Sequence, residues 1–271
     1  MIPIKDENPT FSTPIVTIAL IVINILVFFT EPVLTSGRVH TELNVIPACA
    51  QDPGTCNQLR YFACNAAVPY ELTHGERAGD VVARGDRFKT GQENISAVME
   101  RISCRHKSIW LSILKSMFLH GSILHIAFNM LFLWVFGNNV EDRLGKIRFV
   151  AFYLLAGLAA TYAQSYVFPD SAVPLIGASG AIAGILGAYL LMFPRARVRS
   201  LVILIIFITA IEVPAWVMIG LWFVTQLFSS VGSVSGDTGV AYMAHVGGFL
   251  AGMLLLLVFR PRRPQQTAIP Y

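Results

Sequence analysis

Two apolar stretches of this chain carry side chains that together could do covalent chemistry. Ser179 lies in Gly177-Ala178-Ser179-Gly180, and His245 lies in Ala244-His245-Val246-Gly247-Gly248. A serine hydroxyl becomes a useful nucleophile when a base stands about 2.6–3.2 Å away, and histidine is the side chain most often used as that base. A third apolar stretch adds His120, His125 and Asn129. His125 and Asn129 are four residues apart and share a helix face, whereas His120 is expected to be rotated away from His125, nearer the outer mouth. Each polar group at mid-bilayer costs about 3 kcal/mol unless it is paired or wet. The spacing sets Ser179 about four residues into its helix and His245 about five into its own, so His125, Asn129, Ser179 and His245 converge at one depth. That pattern points to acyl transfer within lipid.

The elements that must hold these groups are membrane helices. Hydrophobic residues make up 55% of the 271 and charged residues 13%, and mean hydropathy is +0.61. A soluble domain is usually about a quarter charged. A span needs about 20 apolar residues. Six stretches qualify, at about 13–30, 118–137, 147–167, 175–193, 213–230 and 240–259. The run 201–211 is too short to cross alone, and it leads into Glu212, expected near an interface, and Pro214, expected to open the fifth helix. Gly180 and Gly184 repeat at four residues below the serine, as do Gly248 and Gly252 below the histidine. Such small-residue rows let helix backbones meet, so the fourth and sixth spans are expected to be neighbours.

Arg143, Lys146 and Arg148 follow the second span, Arg195, Arg197 and Arg199 the fourth, and Arg260, Arg262 and Arg263 the sixth. By the positive-inside rule both termini are cytoplasmic, with the site opening outward at the cell membrane. The net charge of +4 follows from this flanking pattern and not from a basic stripe, so no nucleic acid is expected as a partner. The expected organisation is a cytoplasmic tail over 1–12, a first helix over 13–30, an external loop over 31–107, a core over 108–259 and a cytoplasmic tail over 260–271. The external loop holds Cys49, Cys56, Cys64 and Cys104. Cysteines confined to one outer segment fit two disulfides in an oxidising compartment, with three pairings open. Ile95, Val98, Met99 and Ile102 near its end have the spacing of an amphipathic helix.

The run His120-Gly121-Ser122-Ile123-Leu124-His125-Ile126-Ala127-Phe128-Asn129-Met130, the Gly177-Ala178-Ser179-Gly180 motif and Ala244-His245-x-x-Gly248-x-x-x-Gly252 together resemble the rhomboid intramembrane serine proteases. The resemblance covers residues 108–259 and the first helix. It implies an all-α membrane protein, a six-helix rhomboid-like bundle with a cysteine-containing first external loop. It also implies Ser179 as nucleophile and His245 as general base without an aspartate, with the oxyanion held by Asn129, His125 and the backbone at Gly177. The substrates it implies are transmembrane-anchored proteins, admitted beside the fifth helix and the segment Ser229 to Gly239.

Departures are visible. Ala183 stands where many relatives carry an aromatic ring that stacks on the histidine, and Trp110 is followed by Leu111 where relatives often show Trp-Arg. Glu141-Asp142-Arg143-Leu144-Gly145 matches the family's turn after the second span, with a structural role expected. No metal or other cofactor is expected, because the histidines lack the close cysteine or carboxylate companions of a catalytic zinc site. Two other classes are a catalytically inactive relative that binds membrane clients and a small transporter. The grouping of the polar residues near one face argues against the transporter.

Overall fold

Ser122, Gly145 and Pro214 punctuate the apolar sequence and set where its helices begin and end. The computed structural model describes residues 2–32, 53–83, 104, 106–204, 207–233 and 240–261. A strand, β1 (Ile2–Asp6), and a helix, α1 (Ile15–Phe28), come first. Short helices α2 (Pro53–Asn65), α3 (Pro69–His74), α4 (Ala78–Ala83) and α5 (Ile109–Ser116) follow. The long helices α6 (Ile123–Leu144) and α7 (Lys146–Val167) precede α8 (Ser179–Met192). Strands β2 (Arg197–Leu204) and β3 (Phe207–Pro214) then lead to α9 (Ala215–Ser233) and α10 (Tyr242–Phe259). Among the described residues α6, α7 and α10 are long and apolar enough to cross a membrane, and α1, α8 and α9 are shorter apolar helices.

The second apolar helix runs over 123–144, not 118–137. Ser122 is extended (φ −160°, ψ 163°) and its hydroxyl accepts the His125 N–H at 3.1 Å, so the helix starts there. A π-helical stretch over Leu133–Gly137 carries it on, and Gly145 at φ 80° ends it and admits α7. The charges at 141–143 look like a helix exit in sequence. Glu141 is instead 1% exposed and caps α1 from outside: its carboxylate accepts the N–H groups of Val16 at 3.0 Å and Thr17 at 2.7 Å and the Thr17 hydroxyl at 2.8 Å. This supplies the anchor that Pro14, with no capping side chain, cannot.

The fourth apolar helix likewise begins later than 175, at Ser179, after a non-helical approach. From Gly180 to Tyr189 every residue of α8 is buried, so it forms the axis of the bundle. A Cβ on Gly248 would meet the Gly180 carbonyl, and one on Gly252 the Gly184 carbonyl. The expected meeting of α8 and α10 is therefore backbone against backbone. On the far side, a Cβ on Gly184 would stand 2.5 Å from that of Ala156 in α7. Around this axis Phe136, Phe149, Phe152, Tyr153 and Tyr189 are fully buried, while Leu26, Leu254, Leu257 and Val258 stay exposed on outer faces. Large apolar side chains facing outward are what a lipid solvent selects.

The expectation of an all-α chain needs correction. β1, β2 and β3 form an antiparallel sheet in that order at the end of α8 far from Ser179, pairing Ile2 with Leu201 and Arg199 with Glu212. The run 201–211 is rich in β-branched residues, which suit a pleated surface, and the presumed N-terminal tail supplies the third strand. Glu212 is exposed and pairs with Arg197 at 3.1 Å, and Pro214 closes β3 directly before Ala215 begins α9.

At the Ser179 end, α2, α3 and α4 make a roof. Cys64 is bonded to Cys104, and Cys56 is also in a disulfide, while Cys49 lies outside the described residues. So do the sites of the amphipathic pattern at Ile95, Val98, Met99 and Ile102. Beneath the roof the Lys107 ammonium pairs with Glu71 and donates to the carbonyls of Ala63 at 2.8 Å and Ala66 at 2.9 Å. Burial pushes the Glu71 carboxyl up and the Lys107 ammonium down from their ordinary ranges. The roof also grips the segment leading to Ser179. Leu175 N–H donates to the Ala67 carbonyl at 2.7 Å, Ala67 N–H to the Ser116 hydroxyl at 2.6 Å, and Tyr70 N–H to the Ser171 carbonyl at 3.0 Å.

Candidate active site

Ser179 is the first residue of α8, not the fifth, and His245 is the fourth of α10. The close backbone crossing of these helices brings the two side chains together. Ser179 Oγ lies 2.8 Å from His245 Nε2, within the distance for proton transfer. The other ring nitrogen, Nδ1, lies 2.8 Å from Oε1 of Gln226 in α9. Trp222 and Tyr242 flank the imidazole at centroid distances of 6.0 and 6.4 Å. The aromatic surround therefore comes from α9 and α10, while Ala183 is fully buried in the core. Gln226 had no signal in sequence, since its meaning depends on how α9 is rotated against α10.

On the other side of the serine, Gly177 takes φ +118°, a conformation that a residue with a Cβ adopts only with strain. A Cβ there would stand 2.8 Å from His125 Nε2 and 3.4 Å from Ser179 Oγ. The absent side chain thus lets the imidazole and the hydroxyl approach each other across Gly177. His125 Nδ1 accepts the Gly121 N–H at 3.4 Å, which leaves the ring proton on Nε2, facing Gly177. Gly177 does not offer its own N–H, which donates to the Ser116 carbonyl at 2.9 Å. The first N–H groups of α8, at Ser179, Gly180 and Ala181, have no carbonyl one turn earlier in the helix and remain as backbone donors at the serine.

Asn129 is buried one turn after His125, and its amide donates to the His125 carbonyl at 3.1 Å. His120 is not rotated away from the site. It precedes the helix, its ring centroid is 5.1 Å from that of His125, and its N–H donates to Glu31 at 3.1 Å. The segment Ser229 to Gly239 divides: through Ser233 it is helical, continuing α9, and 234–239 lie outside the described residues. A cavity of about 30 Å³ adjoins Ser179, lined among others by Ser116, Gly157, Thr161, Leu175 and Gly177. Among the described residues no cluster of three or more histidine, cysteine or acidic side chains could hold a metal ion.

A serine bonded to a histidine inside a bundle of apolar helices defines a membrane protein with the polar pair that serine hydrolases use. The family model described as the Rhomboid domain matches residues 107–262, and the chain belongs to the rhomboid family. It is similar to Rhomboid protein 1, mitochondrial, of Saccharomyces cerevisiae, with 30% identity over 149 residues, covering 53% of this chain and 40% of that protein. It is 35% identical over 153 residues to Rhomboid protease GluP of Bacillus subtilis, covering 54% and 26%. With Presenilin-associated rhomboid-like protein A, mitochondrial, of Danio rerio, identity is 30% over 167 residues, covering 58% and 41%. The chain thus spans well under half the length of these curated relatives.

Proposed function

We propose that this chain is an intramembrane serine endopeptidase that cleaves transmembrane-anchored proteins near the outer membrane interface. The observation that carries the reading is the 2.8 Å contact between Ser179 Oγ and His245 Nε2, with His125 Nε2 close by across Gly177. His245 takes the hydroxyl proton as Ser179 Oγ attacks a peptide carbonyl, and an acyl-enzyme forms when the amine leaves with that proton. The oxyanion settles beside Ser179, held by His125 Nε2–H and the first N–H groups of α8, with Asn129 turning its amide from the His125 carbonyl when substrate is bound. A cavity of about 30 Å³ beside the serine has room for the water that hydrolyses the ester.

In this reading α1, α6, α7, α8, α9 and α10 are six spans, with both termini cytoplasmic, the sheet on the cytoplasmic side and the roof outside. The chain would then lie in the cell membrane, although several of its relatives carry mitochondrial names. Substrates are single-span proteins with helix-weakening residues near the outer interface and a small residue at the cut. The deciding experiment exposes detergent-solubilised protein to a fluorophosphonate probe and to a panel of tagged single-span proteins. Wild type is labelled and cuts, and Ser179→Ala does neither. Equal behaviour of the two proteins rejects the protease and favours a client-binding relative.

A further inference from the structure

The imidazole of His245 has a partner on each nitrogen, and the second partner decides what the first can do. Gln226 has a carbonyl end and an amide N–H end, and its helix tells them apart. Its Nε2 lies 3.3 Å from Thr225 Oγ1 and 3.5 Å from the Trp222 carbonyl. Thr225 Oγ1 gives its own proton to that same carbonyl at 2.6 Å, so it meets Nε2 as an acceptor. The amide nitrogen is therefore occupied by α9 itself, and Oε1 is the end left to face His245 Nδ1 at 2.8 Å. An acceptor there holds the ring proton on Nδ1 and leaves Nε2 with its lone pair toward the serine hydroxyl. Reversed, the amide would donate to Nδ1 and drive the proton onto Nε2, and the serine would face a donor with no base.

We propose that Gln226 is the positioning residue of the site, setting the tautomer and the angle of His245 in place of the carboxylate of a Ser-His-Asp triad. This rests on the Ser179–His245 reading above. Gln226 meets the Nδ1 edge of the ring, away from the Nε2 that receives the serine proton, and acts through the imidazole. When His245 becomes an imidazolium, the Nδ1–H bond to Oε1 persists and the amide dipole faces the new charge. The bond also joins two helices. Phe223 in α9 stacks on Phe249 in α10 at 4.2 Å, while Trp216, Leu221, Val224 and Phe228 are exposed on other faces of α9. The base is therefore aligned only while α9 rests against α10, and any movement of α9 outward uncouples it.

The test compares steady-state cleavage and fluorophosphonate labelling for wild type, Gln226→Leu and Gln226→Glu, with thermal denaturation as a check of folding. Leucine keeps the bulk and removes the acceptor. Its kcat should fall by about tenfold to a hundredfold with KM unchanged within about twofold, and labelling should slow in step. Gln226→Glu, which restores an acceptor oxygen at the same reach, should recover most of kcat. Should leucine unsettle the fold, Gln226→Asn, which keeps the amide but is one methylene short, should show the same loss in kcat alone. A folded Gln226→Leu protein with wild-type kcat overturns the proposal. So does a folded Gln226→Glu protein no better than the leucine variant. Wild type that is labelled no more than Ser179→Ala is a different result, and it removes the serine-protease reading itself.

Discussion

Gly177 contributes through the side chain it lacks. At φ +118° an alanine is strained, and its methyl would stand 2.8 Å from His125 Nε2 and 3.4 Å from Ser179 Oγ, pressing on both. Gly177→Ala should lower kcat by about a hundredfold or more, comparable to removing an oxyanion donor, and single-turnover cleavage against wild type measures it. Unchanged turnover would move the oxyanion elsewhere. Glu31 supplies a second prediction. Burial pushes its carboxyl up to about 8 from 4.5, so the folded state holds this proton more tightly than the unfolded chain does. That contribution to stability is complete below about pH 4.5 and is lost as pH rises through about 8. Glu31→Gln keeps an acceptor for the His120 N–H and cannot ionise. It should denature at a higher temperature than wild type near pH 9, with the gap closing near pH 5. A gap independent of pH would show that Glu31 is not the titrating group.

Helices were legible where apolar length alone defines them, and less so where a polar side chain does. The ranges expected for the first, third, fifth and sixth spans lie within about three residues of α1, α7, α9 and α10. The second helix was displaced because Ser122 caps it and because Glu141, which looks solvent-bound in sequence, is buried against another helix. The hairpin of β2 and β3 looks in sequence like a short apolar run without a partner, since β1, which pairs with it, is nearly 200 residues away. At the site, Ser179, His245 and His125 announced themselves as polar residues in apolar surroundings. Gln226 did not, because a glutamine near the end of a helix has many inert explanations. The burial of Glu141 leads to a test at this scale. Glu141→Ala leaves two N–H groups and a hydroxyl of α1 without their acceptor and should cost about 2–4 kcal/mol. Denaturation of the purified variant checks this, with Glu141→Gln expected to fall between it and wild type.

Across the whole molecule, the roof and the bundle are joined at a buried ion pair. The Lys107 and Glu71 side chains are each 3% exposed, so truncating one strands the other in apolar surroundings. Lys107→Met should cost about 3–5 kcal/mol, and the double variant Lys107→Met with Glu71→Leu should recover much of it. Thermal denaturation of the three proteins measures both effects, and equal losses in the single and double variants would refute the coupling. Because Leu175 hangs from Ala67, loosening the roof should also slow cleavage. The clasp between Thr17 and Glu141 has a further consequence, for how the chain is made. The first helix leaves the ribosome more than a hundred residues before the carboxylate that satisfies its leading amides, so those amides stay unmatched until then. A nascent chain halted before residue 141 should leave this helix loosely held and open to quality-control proteases, and one halted well beyond it should be secured.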